Sequence, residues 1–342
     1  MAEGSKNIYR PPTIKEVAER ARVSPATVSF VINKTKGQSF STETKERVWA
    51  AVEDLGYRPN PAAQALRTRT SNFVGFVADA VATTPFAVDL IKGAQDCAKE
   101  RGKLLLVIDA DGNAEQRERA FEVMLEQRVE GIIYAAMFHQ EIELFDRYRD
   151  LPIVLVDCYT KDNIFPAVVP DEIQGGQLAT EQLIAKGHKR IAMLANAKFT
   201  EGYPAPIGRL EGYKRALENA NLPFDDELVF EGDSHATTGY SGTRQLMQLG
   251  DPPTALFCGT DRMAMGAYDA LKELGFGIPD DVAVIGFDNQ EIIAAFLRPP
   301  LSTVMLPHYN MGWLAIEQLF DTNSRDRQRH LIPCPFVPRE SI

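Results

Sequence analysis

Five polar residues stand where a strand-like run gives way to a helix-like one. Asp79 follows FVGFVA, Asp157 follows PIVLV, Thr260 and Asp261 follow TALFCG, and Asp288 follows VAVIGF. Arg209 opens a helical stretch after the irregular NAKFTEGYPAPIG. An ionised carboxylate accepts two hydroxyl hydrogen bonds, and a guanidinium donates a planar fork. Gathered on one cleft, this set suits a small ligand rich in hydroxyls. A strand-end Asp is as often the cap of the next helix, so the reading depends on the residues converging.

The same survey argues against catalysis. No nucleophile stands beside a base, and no GxSxG, GxxxxGK[ST] or strand-to-helix GxGxxG is present. DADGN (residues 109–113) has the composition of a calcium loop, but its glycine is misplaced and its twelfth position is Ala120. Cys97, Cys158, Cys258 and Cys334 are far apart, and His139, His188, His235, His308 and His330 are scattered. Buried, reduced thiols, no structural metal and no cofactor are expected.

A second polar set lies in VSPATVSFVIN, residues 23–33. Before it, TIKEVAERA carries Ile14, Val17, Ala18 and Ala21 at amphipathic helix spacing, with Thr13 and Glu16 as a capping box. Ser24 caps the next helix and Pro25 takes its first position, while Val23 and Val28 have staple spacing. Val28, Val31 and Ile32 form its inward stripe, leaving Pro25, Ala26, Thr27, Ser29, Phe30 and Asn33 outward or at the margin. A third helix runs from Ser41, with Val48, Ala51, Val52 and Leu55 inward and Gly56 as its stop. Three short helices with a tight turn between the first two make a helix-turn-helix. Such a unit lays its second helix in the DNA major groove. Lys34, Lys36, Lys45 and Arg47 are placed to meet phosphates. A three-helix bundle packed on the body is the bland alternative.

Next comes YRPNPAAQALRTRTSN, where Pro59 and Pro61 break the preceding helix and Asn60 can cap a new one. PAAQALR makes a helix of under three turns, marginal alone in water. Ala63 and Leu66 therefore point to a partner helix or a DNA groove; a plain linker is the other reading.

From Phe73 onward, strand-like and helical runs alternate, which implies parallel sheets. The strands are too many for one small sheet. Those before Pro170 and those after about Lys189 divide into two lobes with a cleft beyond their strand ends. The charge divides too. Residues 1–70 carry 12 Lys and Arg against 7 Asp and Glu, within a chain of net charge −10. A basic head on an acidic body suits a polyanion partner. The 342 residues contain no run of 18 apolar residues and no secretory-type N-terminus, which favours the cytoplasm and no membrane contact.

In order along the chain, TIKEVAERARVSPATVSFVIN, LGYRPNPAAQAL, LIAKGHKRIAML, GRLEGYKRAL, GTDRMAMGAYDALKELG, VIGFDN and PPLSTV resemble the lac repressor (LacI/GalR) family of bacterial transcription regulators. The likeness runs from about Thr13 to the final PRES. It implies a small all-α helix-turn-helix head plus an α/β core of two parallel-sheet lobes, similar to periplasmic binding proteins. The implied divisions are a head at 1–58, a hinge at 59–72 and a core at 73–342. The first lobe would span about 73–170 plus 305–328, and the second about 171–304 plus the C-terminal strand.

The likeness further implies a homodimer on a pseudo-palindromic double-stranded DNA operator and a small-molecule effector in the cleft. The implied DNA set is Thr13, Ser24, Pro25, Ala26, Thr27, Ser29, Phe30, Asn33, Asn60, Ala63 and Leu66. Pro25, Ala26 and Phe30 would read bases, and Leu66 would wedge into the minor groove. The implied effector set is Asp79, Phe86, Asp157, Arg209, Ser234, Thr260, Asp261 and Asp288. The mechanism is a population shift, in which the effector favours one pairing state of the hinge helices.

The chain departs from the family pattern in several places. Phe30 stands where many members have Arg, so apolar contact to a thymine methyl replaces a guanine contact. The loop NKTKGQSFSTET is about two residues longer than usual. Ser234 stands where some sugar-responsive members stack an aromatic on the ligand. No leucine heptad tail follows FVPRESI, favouring a dimer over a tetramer. MGWLAIEQLF lacks the basic residues of members that take a phosphocarrier protein. A sugar or nucleoside is the expected effector; gating by a protein, or no effector, is the alternative, and an α/β sugar-phosphate enzyme is the most distant reading.

Overall fold

The computed structural model describes residues 10, 12–33, 39–58, 71–79, 87–144, 146–321 and 328–342. The chain forms two compact units that divide between Ser71 and Asn72.

The first unit is built from α1 (Ile14–Ala21), α2 (Pro25–Ile32) and α3 (Thr42–Leu55). Side chains cap each start. Thr13 and Glu16 form a full capping box, with the Thr13 N–H donating to Glu16 Oε2 at 2.6 Å. Ser24 Oγ accepts from the Thr27 N–H at 3.1 Å, and Ser41 Oγ from the Thr44 N–H at 3.2 Å. Each cap contributes about 1 kcal/mol, a sizeable share for so small a core. α3 ends at Gly56 in the left-handed region, φ 61°. Val17, Ala18, Ala21, Val28, Val31, Val48 and Ala51 are buried together, and Ile32, Val52 and Leu55 pack on them.

The second unit holds two six-stranded sheets. The first lobe contains β1 (Phe73–Asp79), α4 (Ala87–Glu100), β2 (Leu104–Asp109), α5 (Ala114–Glu126), β3 (Ile132–Glu141), β4 (Ile153–Tyr159) and β5 (Ala167–Pro170). The second contains α6 (Glu172–Ala185), β6 (Ile191–Ala195), α7 (Pro204–Asn219), β7 (Val229–Glu231), α8 (Ala236–Leu246), β8 (Ala255–Cys258), α9 (Asp261–Glu273), β9 (Ala283–Asp288), α10 (Glu291–Ala294) and β10 (Ser302–Met305). The chain then returns to the first lobe as α11 (His308–Phe320) and β11 (Arg329–Ile332), and ends in the second as β12 (Phe336–Val337). The first lobe thus takes up β11, which lies beyond the return at about 328 that the sequence implied.

The sheet orders are β11-β5-β4-β3-β1-β2 and β12-β10-β9-β8-β6-β7. Among the described residues, all pairings are parallel except β12 on β10. Helices cover both faces, so β6, β8 and β9 are buried along their whole length. In the first lobe, α4 and α11 cover one face and α5 the other. In the second, α6 and α7 cover one face, with α8 and α9 opposite. Glycine permits close helix approach: a Cβ on Gly266 would lie 1.8 Å from the Ala236 carbonyl oxygen, and one on Gly312 2.0 Å from that of Leu90. The chain passes between lobes three times, at the ends of β5, β10 and β11.

Candidate functional site

Residues at the carboxyl ends of both sheets line one cavity of about 270 Å³. Asp157 reaches it from β4 and Asp288 from β9, with Thr260 after β8 and Ser234 in the loop after β7. Arg209 enters from α7. The structure therefore brings Asp157, Arg209, Ser234, Thr260 and Asp288 together.

Arg209 is 3% exposed. Its Nε donates to Glu172 Oε2 at 2.7 Å, its Nη2 to Glu172 Oε1 at 3.3 Å and its Nη1 to the Gly259 carbonyl at 2.5 Å. The Phe287 ring lies 3.8 Å from the guanidinium carbon, and Asp288 Oδ1 stands 3.9 Å from Nη1. Burial by itself would raise the Glu172 carboxyl, but Arg209 and His139 hold it down, at about 2. Burial dominates at Asp157 and at Asp288, pushing each carboxyl up to about 7. Burial also pushes His308 down to about 4.

The backbone at the site is strained. His139, Asp157, Ser234 and Asp288 have φ of 41°, 55°, 69° and 107°. Such conformations cost a non-glycine residue about 1–3 kcal/mol each and persist where surrounding packing enforces them. Here they turn side chains from the strand ends into the cavity. Among the described residues, Asn196 Oδ1 lines that cavity buried and without a hydrogen-bond partner, and His139 Nδ1 stands 3.9 Å from Glu172 Oε1.

Two expected residues serve elsewhere. Asp261 is fully buried; its Oδ1 accepts from Thr303 Oγ1 at 2.6 Å and its Oδ2 from the Gln290 N–H at 2.7 Å. It braces the loop after β9 and does not line the cavity. Asp79 pairs with Arg117 Nη1 at 3.1 Å, accepts from the Tyr134 hydroxyl, and is also absent from the lining. Thr260 both caps α9, accepting from the Met263 N–H at 3.1 Å, and lines the cavity. Phe86 lies outside the described residues. Sequence reasoning missed His139, Glu172, Asn196, Tyr203, Asp233, Arg262 and His308. Glu172 reads as an ordinary first-turn acid, and only the fold reveals that it is buried. Among the described residues, no cluster of His, Cys, Asp and Glu could hold a metal, and no helix is long and apolar enough to cross a membrane.

In the helical unit, Pro25 and Ala26 are exposed at the start of α2. Thr13 and Ser24 spend their hydroxyls on caps, the Thr27 hydroxyl meets Ser24 Oγ at 2.9 Å, and Asn33 Nδ2 donates to the Ser29 carbonyl at 2.7 Å. Phe30 is half-buried and stacks on Phe40, ring centroids 6.4 Å apart at 20°. Phe40 in turn packs on the small core. Asn60, Ala63, Leu66, Lys34 and Lys36 lie outside the described residues.

With this geometry in place, the comparisons are specific. Residues 13–60 match "Bacterial regulatory proteins, lacI family", and residues 71–340 match "Periplasmic binding proteins and sugar binding domain of LacI family". The HTH-type transcriptional repressor PurR of Yersinia pestis bv. Antiqua (strain Antiqua) is 33% identical over 338 residues, 96% of each chain. The lac repressor dimer bound to operator and the anti-inducer ONPF superposes with a TM-score of 0.79 at 27% identity, covering 97% of this chain and 99% of that one. The transcriptional regulator CelR–cellobiose complex gives 0.66 at 28% identity, covering 96% and 99%. A capped helix-turn-helix, a two-lobed core with a polar cleft and these full-length likenesses lead to one conclusion: the chain belongs to the LacI family and is a DNA-binding transcriptional repressor with a small-molecule effector domain, not an enzyme.

Proposed function

We propose that the cleft binds a neutral, hydroxyl-rich small molecule, a sugar or a nucleoside, and that this ligand sets operator affinity. One observation carries the reading: each lobe contributes a carboxyl, half-buried Asp157 and buried Asp288, to a cavity that also holds Arg209, with Asn196 Oδ1 left without a hydrogen-bond partner. Unpaired buried polar atoms are costly and are ordinarily satisfied by a ligand or water. Arg209, Asp157, Asp288, Thr260 and Ser234 are the contact residues of this reading. The CelR–cellobiose complex supports a sugar-sized ligand.

The lac repressor dimer on its operator supports a homodimer reading a pseudo-palindrome. In that arrangement residues 1–58 form the head, 59–72 the hinge and 73–342 the core, acting in the cytoplasm. Pro25, Ala26 and Phe30 face bases, and Leu66 wedges at the operator centre. Ligand binding favours one lobe arrangement and so one hinge state.

A thermal-shift screen of the full chain against sugars and nucleosides tests this. A ligand at 100 times its Kd stabilises by about 2.7 kcal/mol. A hit that Ala197→Trp, which fills the cavity from its wall, abolishes, and that changes operator affinity, is the expected result. A hit that leaves operator affinity unchanged sinks the switch. Operator binding itself should weaken steeply with salt as counterions are released.

A further inference from the structure

We infer that Glu172 sets the charge selectivity of the cleft, occupying the Arg209 fork so that the site accepts neutral ligands and rejects anionic ones. The inference rests on the reading of the cavity as the effector site. An unpaired buried arginine would be an anion trap, because its fork matches carboxylate and phosphate bidentately. Here Glu172 takes that fork through Nε and Nη2, the Gly259 carbonyl takes Nη1, and Phe287 covers one face. A ligand meets an ion pair of zero net charge, with the remaining guanidinium N–H groups as hydroxyl partners.

The pair is built into the fold. A Cβ on Gly176 of α6 would lie 2.4 Å from the Arg209 carbonyl oxygen, and one on Gly208 of α7 would lie 2.7 Å from Glu172 Cβ. Glycine at both positions lets α6 and α7 approach until the two side chains pair. An incoming anion would face the buried Glu172 charge, and Glu201 and Asp233 add carboxylates to the wall. Arg262, the second cation of the lining, lies within electrostatic reach of Asp288.

The test uses the full chain and matched probe pairs: neutral monosaccharides with their uronates and phosphates, and nucleosides with their monophosphates. Affinities are measured by thermal shift and calorimetry for wild type and Glu172→Gln. Wild type should bind a neutral member and favour it over its anionic partner. Glu172→Gln should shift that preference toward the anion by at least tenfold. A preference that stays within twofold, or a wild type that favours the anion, overturns the inference while leaving the effector site standing. Binding of no probe, or binding that survives Ala197→Trp, overturns the reading of the cavity and the inference with it. If Glu172→Gln does not fold, wild type decides by pH. Glu172 stays ionised far below neutrality, whereas Asp157 and Asp288 change charge near pH 7. Anion rejection that persists from pH 8 to pH 5.5 supports Glu172. Anions that begin to bind below pH 6 assign the rejection to the two aspartates, and overturn it.

Discussion

Asp157 and Asp288 hold the same place in two different sheets. Each lies at the carboxyl end of the strand third from the edge, each has a positive φ, and each is held neutral to about pH 7 by burial. Two lobes of one design thus oppose matching carboxyls across the cavity.

That match makes the empty protein sensitive to pH. Both groups have folded pKa values above the ordinary aspartate value of 3.8. Between about pH 4 and pH 7 the unfolded chain is ionised at these positions while the folded chain keeps its protons, so stability falls as pH rises. The Tm of the ligand-free core should drop by more than roughly 5 °C from pH 5 to pH 8. Asp157→Asn and Asp288→Asn should each flatten that slope, which differential scanning calorimetry would read; an unchanged slope in both would refute the burial argument.

Arg209→Ala strands the Glu172 charge inside the second lobe. Breaking a buried pair from one side costs about 3–5 kcal/mol, so urea unfolding should show a large loss. The double change Glu172→Met with Arg209→Met should recover most of it, because no charge is left buried. Equal losses in the single and double variants would mean that packing, not charge, dominates.

Phe30 and Phe40 should behave as one unit. The stacked rings tie α2 to the segment before α3. Phe30→Ala should cost about 1–2 kcal/mol of head stability, and Phe40→Ala a similar amount, with the double variant costing less than their sum. Hydrogen exchange of α2 amides measures this. A change in base preference with Phe30→Ala but not with Phe40→Ala would separate a DNA contact from the brace.

Thr13→Ala removes one half of the capping box and should cost about 1 kcal/mol. The loss should appear as faster exchange of the α1 amides and a proportionate fall in operator affinity. Glu16→Gln, which can still accept from the Thr13 N–H, should lose less.

Local chemistry was legible in the sequence. Thr13, Ser24, Ser41 and Gly56 bound their helices because capping is decided by neighbours three residues away. Asp157, Thr260 and Asp288 could be placed on one cavity because parallel strands deliver their carboxyl ends to one side. Glu172, His139 and His308 were not found, since their burial comes from helices and crossings far apart in the chain. Asp261 carries the same strand-end signature as Asp288, yet its carboxylate bonds Thr303, 42 residues later, and lies outside the cavity lining. Phe30 was read as outward from helical periodicity, which says nothing of a partner at position 40.

The last strands carry a consequence for how the chain is made. β11 and β12 sit within nine residues of each other, yet each is the outer strand of a different sheet. Ser341 then pins the second sheet, its hydroxyl donating to the Val284 carbonyl at 2.6 Å and accepting from the Ser302 N–H at 2.8 Å. A ribosome must therefore release the chain past β11 and β12 before either lobe can complete its sheet. A single frameshift ahead of β11 would leave both sheets without their outer strand at once.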